Sequence, residues 1–316
     1  MLTYAKLARK GDKVSRFTGL TQEQFALIAA RLQPLWARAE LQRLSRPDRK
    51  RVIGAGRRYK LAALEDKLLL ILMFYRLYIN YDLLEVLFDS ENSQIYRLMK
   101  KLEPLIEQAA DPYFDGLLRR VNHNSQRIKT VKEFIEKYPD LKDIILDATE
   151  QRRQKPQGEG EQRRYYSGKK KQHTLKTGLV VNPAGRILAV TGTVGGRTHD
   201  QKLFREDDRY RQLPEQANKY GDLGFEGMLK DGIPRTRLPV KKRRVKGQTV
   251  KLTRKEKEFN RNHARIRVKV EHAIARLKKY NVLSQTYRSA EGRYNRIFRN
   301  IAALVNFRLE HHSAYT

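Results

Sequence analysis

An α/β sandwich preceded by an all-α region is the fold that the sequence predicts, and three observations predict it. Residues 1 to about 130 carry apolar side chains at helical spacing. From Asp143 the pattern changes to short, strongly apolar runs of strand type. The first of these runs follow one another as in a hairpin, and the later ones alternate with helical stretches, as a mixed sheet flanked by helices requires.

In the first region a capping box at Thr21 and Gln24 opens a helix that carries Phe25, Leu27, Ile28, Leu32 and Leu35. Leu61 to Tyr78 reads as a strongly apolar helix, Asp82 to Phe88 as a short one, and Asn92 as the cap of a third that runs to about Ile106. The turn at Asp89-Ser90-Glu91, followed by a helix displaying Gln94, Tyr96, Arg97 and Lys100, suits a helix-turn-helix over about residues 61–106. An ordinary three-helix bundle has the same spacing, so both readings stand on pattern alone. Trp36 is most simply part of this region's core.

Residues 111–141 read as a connector and a helix from Val131 to Tyr138. Ile144 to Thr149 is a buried strand, and a polar, basic loop follows to about Lys171. Residues 174–182 and 185–194 form a hairpin that turns at Asn182-Pro183-Ala184-Gly185. A helix starts at His199, strands follow at Lys219–Leu223 and Arg237–Val240, and a long basic helix covers about Thr253 to Tyr280. An amphipathic helix from about Arg293 to Leu309 completes the chain, giving two domains, 1–130 and 131–316.

Composition narrows the function. The 316 residues hold 67 Lys and Arg against 35 Asp and Glu, a net charge of +32, so a polyanionic partner is expected. With no Cys, disulfides, thiolate metal sites and thiol nucleophiles are excluded. The longest apolar run, Leu68 to Tyr75, is too short to span a bilayer, and the N-terminal residues lack a secretory core. The expectation is a soluble intracellular protein, and ribosomal RNA, DNA and an acidic membrane surface fit its charge equally well.

Three carboxylates stand out. Asp147 lies mid-strand, where an isolated charge loses hydration unless a metal or cation compensates it, or unless the strand end is solvated. Asp222 lies at a strand end between Gly221 and Gly224. Glu271 lies in a segment, Arg235 to Lys279, with 18 Lys or Arg and three acids. Helical spacing puts Arg267, Glu271 and Lys278 on one face beside the stripe Ile266, Val270, Ala273 and Leu277. A plain Arg267–Glu271 surface pair would fit the same spacing. Hard oxygen donors converging in a cleft are sufficient for Mg²⁺, and two such ions suit phosphodiester chemistry on the DNA that the charge attracts.

Five segments occur in a fixed order: Asp147-Ala-Thr-Glu150, Tyr166-Ser-Gly-Lys-Lys-Lys-Gln-His-Thr-Leu-Lys176, Gly196-Arg-Thr-His-Asp200, Gly221-Asp-Leu-Gly-Phe225, and Arg267-x3-Glu271-x6-Lys278. Together they resemble the DDE transposases of the bacterial insertion sequence five family, which are distantly similar to Harbinger transposases. The resemblance covers about residues 140–310. It implies an RNase H-like catalytic domain, with Asp147, Asp222 and Glu271 as a triad for two Mg²⁺ ions that Mn²⁺ can replace. It also implies binding of terminal inverted repeats, cut-and-paste movement into target DNA, a homodimer that holds two ends, and a cytoplasmic, nucleoid-associated location with no membrane partner. Ala264 stands where related patterns carry a Tyr. Around the triad, Arg267, Lys278, Lys169, Lys170, Lys171 and His173 are candidate phosphate contacts, as are Arg97 and Lys100 in the helix-turn-helix. His199 and Asp200 either support the metal ligands from behind or cap the following helix. Tyr165 and Tyr166 can stack on an unpaired base or simply line a strand edge.

Overall fold

The chain divides after Pro112. One unit comprises Met1–Pro112, Leu277–Gln285 and Gly292–Thr316, and the other Tyr113–Arg276 and Thr286–Glu291. The structure, a computed structural model, describes residues 1–45, 52, 60–114, 116–125, 128, 130–242, 244–245 and 248–311.

The first unit is helical: α1 (Tyr4–Ala8), α2 (Lys13–Thr18), α3 (Gln22–Leu44), α4 (Leu64–Leu77), α5 (Tyr81–Phe88) and α6 (Asn92–Ala110). The capping box forms as its sequence requires, with Gln24 N–H donating to Thr21 Oγ1 and Thr21 N–H to Gln24 Oε1. Asn80, rather than a residue inside the helix, caps α5 by accepting from Leu83 N–H. Asn92 is the first helical residue of α6 and not its cap, and Glu91 before it makes no side-chain cap. The turn between α5 and α6 is set by Asp89, whose φ of 49° is left-handed and stops the first helix. Ile95, Met99, Leu102 and Ile106 bury one face of α6, leaving Gln94, Tyr96, Arg97 and Lys100 exposed. Trp36 is half-buried beneath Lys67, whose ammonium lies 5.6 Å from its ring centre, and is not a core residue.

The second unit opens with α7 (Gly116–Ser125) and α8 (Val131–Lys137), then β1 (Asp143–Arg152), α9 (Glu159–Tyr165), β2 (Tyr166–Ser167), β3 (Gln172–Val181), β4 (Ile187–Val190) and β5 (Val194–Gly195). It continues with α10 (Asp200–Glu206), α11 (Arg209–Gln212), β6 (Asn218–Tyr220), α12 (Gly227–Lys230), β7 (Thr236–Arg237), the small pair β8 (Arg244–Val245) and β9 (Gln248–Thr249), and the long helix α13 (Arg254–Lys278). The helices α7 and α9 occupy stretches that the sequence reading left as connector and loop.

Central to the sheet is β1, which pairs antiparallel with β3 and parallel with β6. Beyond them, β4 pairs antiparallel with β3 and β7 parallel with β6. Three antiparallel strands continued by two parallel ones, with helices between the later strands, is the RNase H-like arrangement. The β3–β4 turn closes as expected, Gly185 (φ 81°) donating its N–H to Asn182 O. Period-2 alternation sends Ile144 and Leu146 into a core with Phe134, Val180, Phe204 and Phe225. At Gly178, which pairs with Ala148 of β1, an added Cβ would stand only 2.6 Å from the Phe204 ring of α10.

The last helix, α14 (Glu291–Glu310), departs from the sequence-based division: from Gly292 onward it belongs to the first unit. Its polar residues find their partners there. Asn300 Nδ2 donates to Tyr75 Oη and to Glu103 O, both at 2.9 Å, and Arg299 Nη2 pairs with Glu107 at 2.7 Å. The observed boundary also falls at residue 112 instead of 130.

Candidate active site

Asp147 lies on the sheet face opposite Ile144 and Leu146, with its side chain 17 % exposed. Its Oδ1 accepts from Ala148 N–H at 2.8 Å, and its Oδ2 accepts from Arg267 Nη2 of α13 at 3.3 Å. Burial pushes the Asp147 carboxyl up to about 6 from 3.8; the Ala148 N–H and the Arg267 charge oppose that rise, while Asp222 and Asp200 add to it. A carboxylate raised by burial and by two neighbouring acids is undercompensated, because one long hydrogen bond from a guanidinium does not replace lost hydration.

Asp222 begins the turn after β6, the parallel neighbour of β1. Its Oδ1 accepts from Gly224 N–H at 2.8 Å, and its backbone is extended. The flanking glycines have distinct uses. Gly221 backs onto Phe225, which a Cβ would approach to 2.9 Å. A Cβ on Gly224 would lie 2.9 Å from Asp222 Oδ1 and 3.8 Å from Asp200 Oδ2, so both carboxylates border the same small space.

Glu271 behaves differently. It lies one helical turn beyond Arg267 on α13, it is exposed, and its side chain makes no hydrogen bond or ion pair among the described residues. The surface Arg267–Glu271 pair is likewise not formed, because Arg267 turns to Asp147. Of the three acids, the structure therefore brings Asp147 and Asp222 into one electrostatic neighbourhood, and places beside them the arginine that precedes Glu271. Among the described residues no three acids or histidines are close enough together to enclose a metal ion.

The site nevertheless fits a divalent cation in its donor chemistry. Its oxygens are hard carboxylate donors of the kind Mg²⁺ takes, whereas Arg267 Nε, buried without a hydrogen-bond partner, is a cationic donor that suits an anion such as a phosphate. A buried donor left unpaired beside an undercompensated carboxylate marks a place where the charge balance is open.

The remaining candidates separate into three groups. Lys169, Lys170 and Lys171 are exposed at the turn between β2 and β3, and Lys171 takes a left-handed φ of 53°. His173 is half-buried and edge-on to Tyr166, at 5.7 Å between ring centres. Tyr166 is 43 % exposed, whereas Tyr165 is buried under the Arg153 guanidinium at 3.9 Å and bonded to Glu291. Only Tyr166 has a ring face open for stacking. Lys278 Nζ donates to Leu283 O at 2.8 Å in the first unit. His199 is exposed and makes no cap, and Asp200 accepts from Lys176 at 2.8 Å.

Two neighbours of the site are given no role by the sequence. His263, one turn before Arg267, is buried with a ring nitrogen 3.1 Å from Arg237 O, and burial pulls its pKa down. Glu150 forms an ion pair with Lys176 at 3.3 Å. By strand period Glu150 falls on the face of β1 opposite Asp147, and nothing local distinguishes His263.

A model for DDE superfamily endonucleases matches residues 146–306, about half of the chain, and a model for the helix-turn-helix of DDE superfamily endonucleases matches residues 59–112. A protein of Microchaete diplosiphon, described as a probable transposase for insertion sequence element IS702, is 28% identical over 263 residues, covering 83% of this chain and 86% of that protein. No solved structure matches the chain. Among the described residues no helix is long and apolar enough to cross a membrane. The RNase H-like sheet, the paired aspartates at its centre and the helical hairpin of α5 and α6 agree with both family matches. The chain belongs to the DDE superfamily endonucleases, as a transposase of the insertion-sequence type with a helix-turn-helix DNA-binding region ahead of its nuclease domain.

Proposed function

We propose that this transposase binds the terminal inverted repeats of its own element and moves that element by metal-dependent strand cleavage followed by strand transfer. The observation that carries the reading is Asp147: a mid-strand carboxylate raised to about 6, beside Asp222 and short of compensating charge.

In this reading Asp147 and Asp222 hold two Mg²⁺ ions, for which Mn²⁺ can substitute, and Glu271 completes the set by turning in from its exposed position on α13. The ions, when bound, would acidify an attacking water or 3′-hydroxyl and neutralise the leaving oxygen of the phosphodiester. The chain supplies the rest. With its carboxyl raised to about 6, Asp147 is mostly ionised at neutral pH and is free to take a cation there. Arg267, held by a single bond to Asp147, keeps donors for a scissile phosphate once the carboxylate is engaged elsewhere. Lys169, Lys170, Lys171 and His173 line a path for the strand backbone, and Lys278 adds a cation to the same helix. On α6 the exposed Arg97 and Lys100 face the duplex end. Two ends must be held together for transposition, so the working form is a homodimer.

Purified protein, a duplex carrying the element end, a target duplex and Mg²⁺ test this directly. Nicking at the end and joining of the freed 3′-hydroxyl to target are expected, and Asp147→Asn is expected to reduce both by at least about 1,000-fold while leaving end binding intact. Binding without any cleavage would identify a DNA-binding protein without catalysis, and cleavage without joining a nuclease. Either result overturns the proposal, as does full activity in Asp147→Asn.

A further inference from the structure

We propose that a basic cleft beyond the C-terminal end of β1 is a subsite for an unpaired nucleotide of a DNA strand, with the base stacked on Tyr166 and the phosphates held by Lys155, Arg163 and Arg197. The choice of DNA as the ligand rests on the transposase reading above, whereas metal-dependent chemistry does not enter.

The cleft is built where the chain leaves and re-enters the sheet. Lys155 follows β1, Arg163 lies on α9, Tyr166 and His173 pair across β2 and β3, and Arg197 follows β5. They line a cavity of about 720 Å³, within the ~300–1,000 Å³ usual for clefts that take a small organic group. Backbone contacts fix its floor. Arg153 N–H donates to His173 O at 2.9 Å, Gly196 N–H to Thr174 O at 2.9 Å, and Arg197 N–H to Arg164 O at 3.4 Å. Gly195 and Gly196 let these pieces close up, since a Cβ on either would collide with Arg164 O or Thr174 Oγ1.

Three of the lining residues are cations and none is an acid. Lys155 and Arg197 are exposed, and among the described residues neither side chain makes a hydrogen bond or ion pair. Arg163 pairs with Glu159 at 3.2 Å, but both side chains are mostly exposed, so the pair gives way readily to a phosphate. Tyr166 adds its open ring face. A flat aromatic face flanked by cations holds an unstacked base and its phosphates without regard to sequence. A duplex cannot use that ring, because its base faces are stacked on one another.

The strand register relates the cleft to the candidate active site. Leu179 of β3 pairs with Asp147, and steps of two back along β3 reach Thr177, Leu175 and His173, so His173 shares a sheet face with Asp147. Tyr166, paired with His173, shares it too. From residue 179 to residue 173 the strand spans about 20 Å at ~3.4 Å per residue. A DNA strand engaged at Asp147 therefore covers the distance with about six stacked nucleotides at ~3.4 Å each, and with fewer when extended.

A short oligothymidylate carrying one 5-iodouracil, irradiated on the full-length protein without metal, tests the cleft. The crosslink is expected at Tyr166 in peptide mass spectra. By fluorescence anisotropy, Tyr166→Ala is expected to weaken binding of the oligothymidylate by about tenfold and that of a duplex of equal length by less than about twofold, whereas Tyr166→Phe binds as wild type does. Lys155→Gln and Arg197→Gln are each expected to lower the salt slope for the single strand by about 0.7. A crosslink only elsewhere, unchanged affinity in Tyr166→Ala, or equal losses on single strand and duplex overturns the assignment. Unmoved salt slopes overturn the phosphate contacts. An oligouridylate bound more tightly than the oligothymidylate would make this a site for RNA and overturn it as well. Nicking and joining are read separately: if the cleft fails, the transposition reading stands, and a protein that holds the single strand at Tyr166 but neither nicks nor joins fails only that reading.

Discussion

Each unit of this molecule contains an arginine paired with a buried acid, and the two pairs are built to opposite ends. In the helical unit, Arg293 of α14 meets Glu103 of α6 through Nε and Nη2, the latter at 2.7 Å, and the Glu103 side chain is 1 % exposed. The same guanidinium lies 5.0 Å from the centre of the Phe74 ring and contacts Tyr81 Oη. Burial alone would lower its pKa, yet the hydrogen bonds and charge of Glu103 raise it above the ordinary arginine value. In the nuclease unit, Arg267 gives Asp147 one bond of 3.3 Å and leaves Nε unpaired. The first pair is complete, so its place is structural. The second is incomplete, and incompleteness in a buried charge pair is what a binding site for a further charge requires.

The difference can be broken most visibly at Arg293. Arg293→Met strands Glu103 in the core and is expected to cost about 3–5 kcal/mol in urea-induced unfolding. A cost near zero would show that the complete pair is not structural after all.

Asp147→Asn is expected to act in the opposite direction. Between pH 3.8 and about 6 the folded protein holds a proton on Asp147 that the unfolded chain has released. Wild-type stability from this group therefore falls as pH rises through that window and is level above it, by up to about 3 kcal/mol. In metal-free buffer the stability of Asp147→Asn relative to wild type should grow from pH 4 to pH 6.5 and then stay constant. A pH-independent difference would mean that the carboxylate is properly compensated, and the contrast would disappear.

The finest test is Arg267→Gln. Removing the charge that opposes the rise should move the Asp147 titration, read by carbon-13 NMR of the carboxyl, further above 6. An unmoved midpoint would leave Arg267 without electrostatic influence on the site.

Much of the fold was legible because its signals are local. The Thr21–Gln24 capping box, the Asn182–Gly185 turn and the apolar run of β1 each depend on residues within a few positions, and each appears where the sequence puts it. The helix α7 was not legible, because Leu117, Leu118 and Val121 sit in a polar stretch that reads as connector. The assignment of α14 to the first unit was not legible, since its amphipathic face would pack equally well on a sheet. At the site, Asp147 and Asp222 stand out through their strand context. What escaped was every relation that crosses elements: Arg267 reaching 120 residues back to Asp147 instead of four forward to Glu271, and Lys176 drawing Glu150 and Asp200 together. Side-chain pairing between distant segments leaves no periodic trace in the chain.

The absent side chain at residue 178 carries a final implication. Phe204 lies so near that position that even a methyl group would act as a wedge between the ladder and α10, whose first residue is Asp200. Loss of function by drift therefore need not touch an acid: a single alanine beneath the aromatic ring would prise α10 from the sheet that carries Asp147.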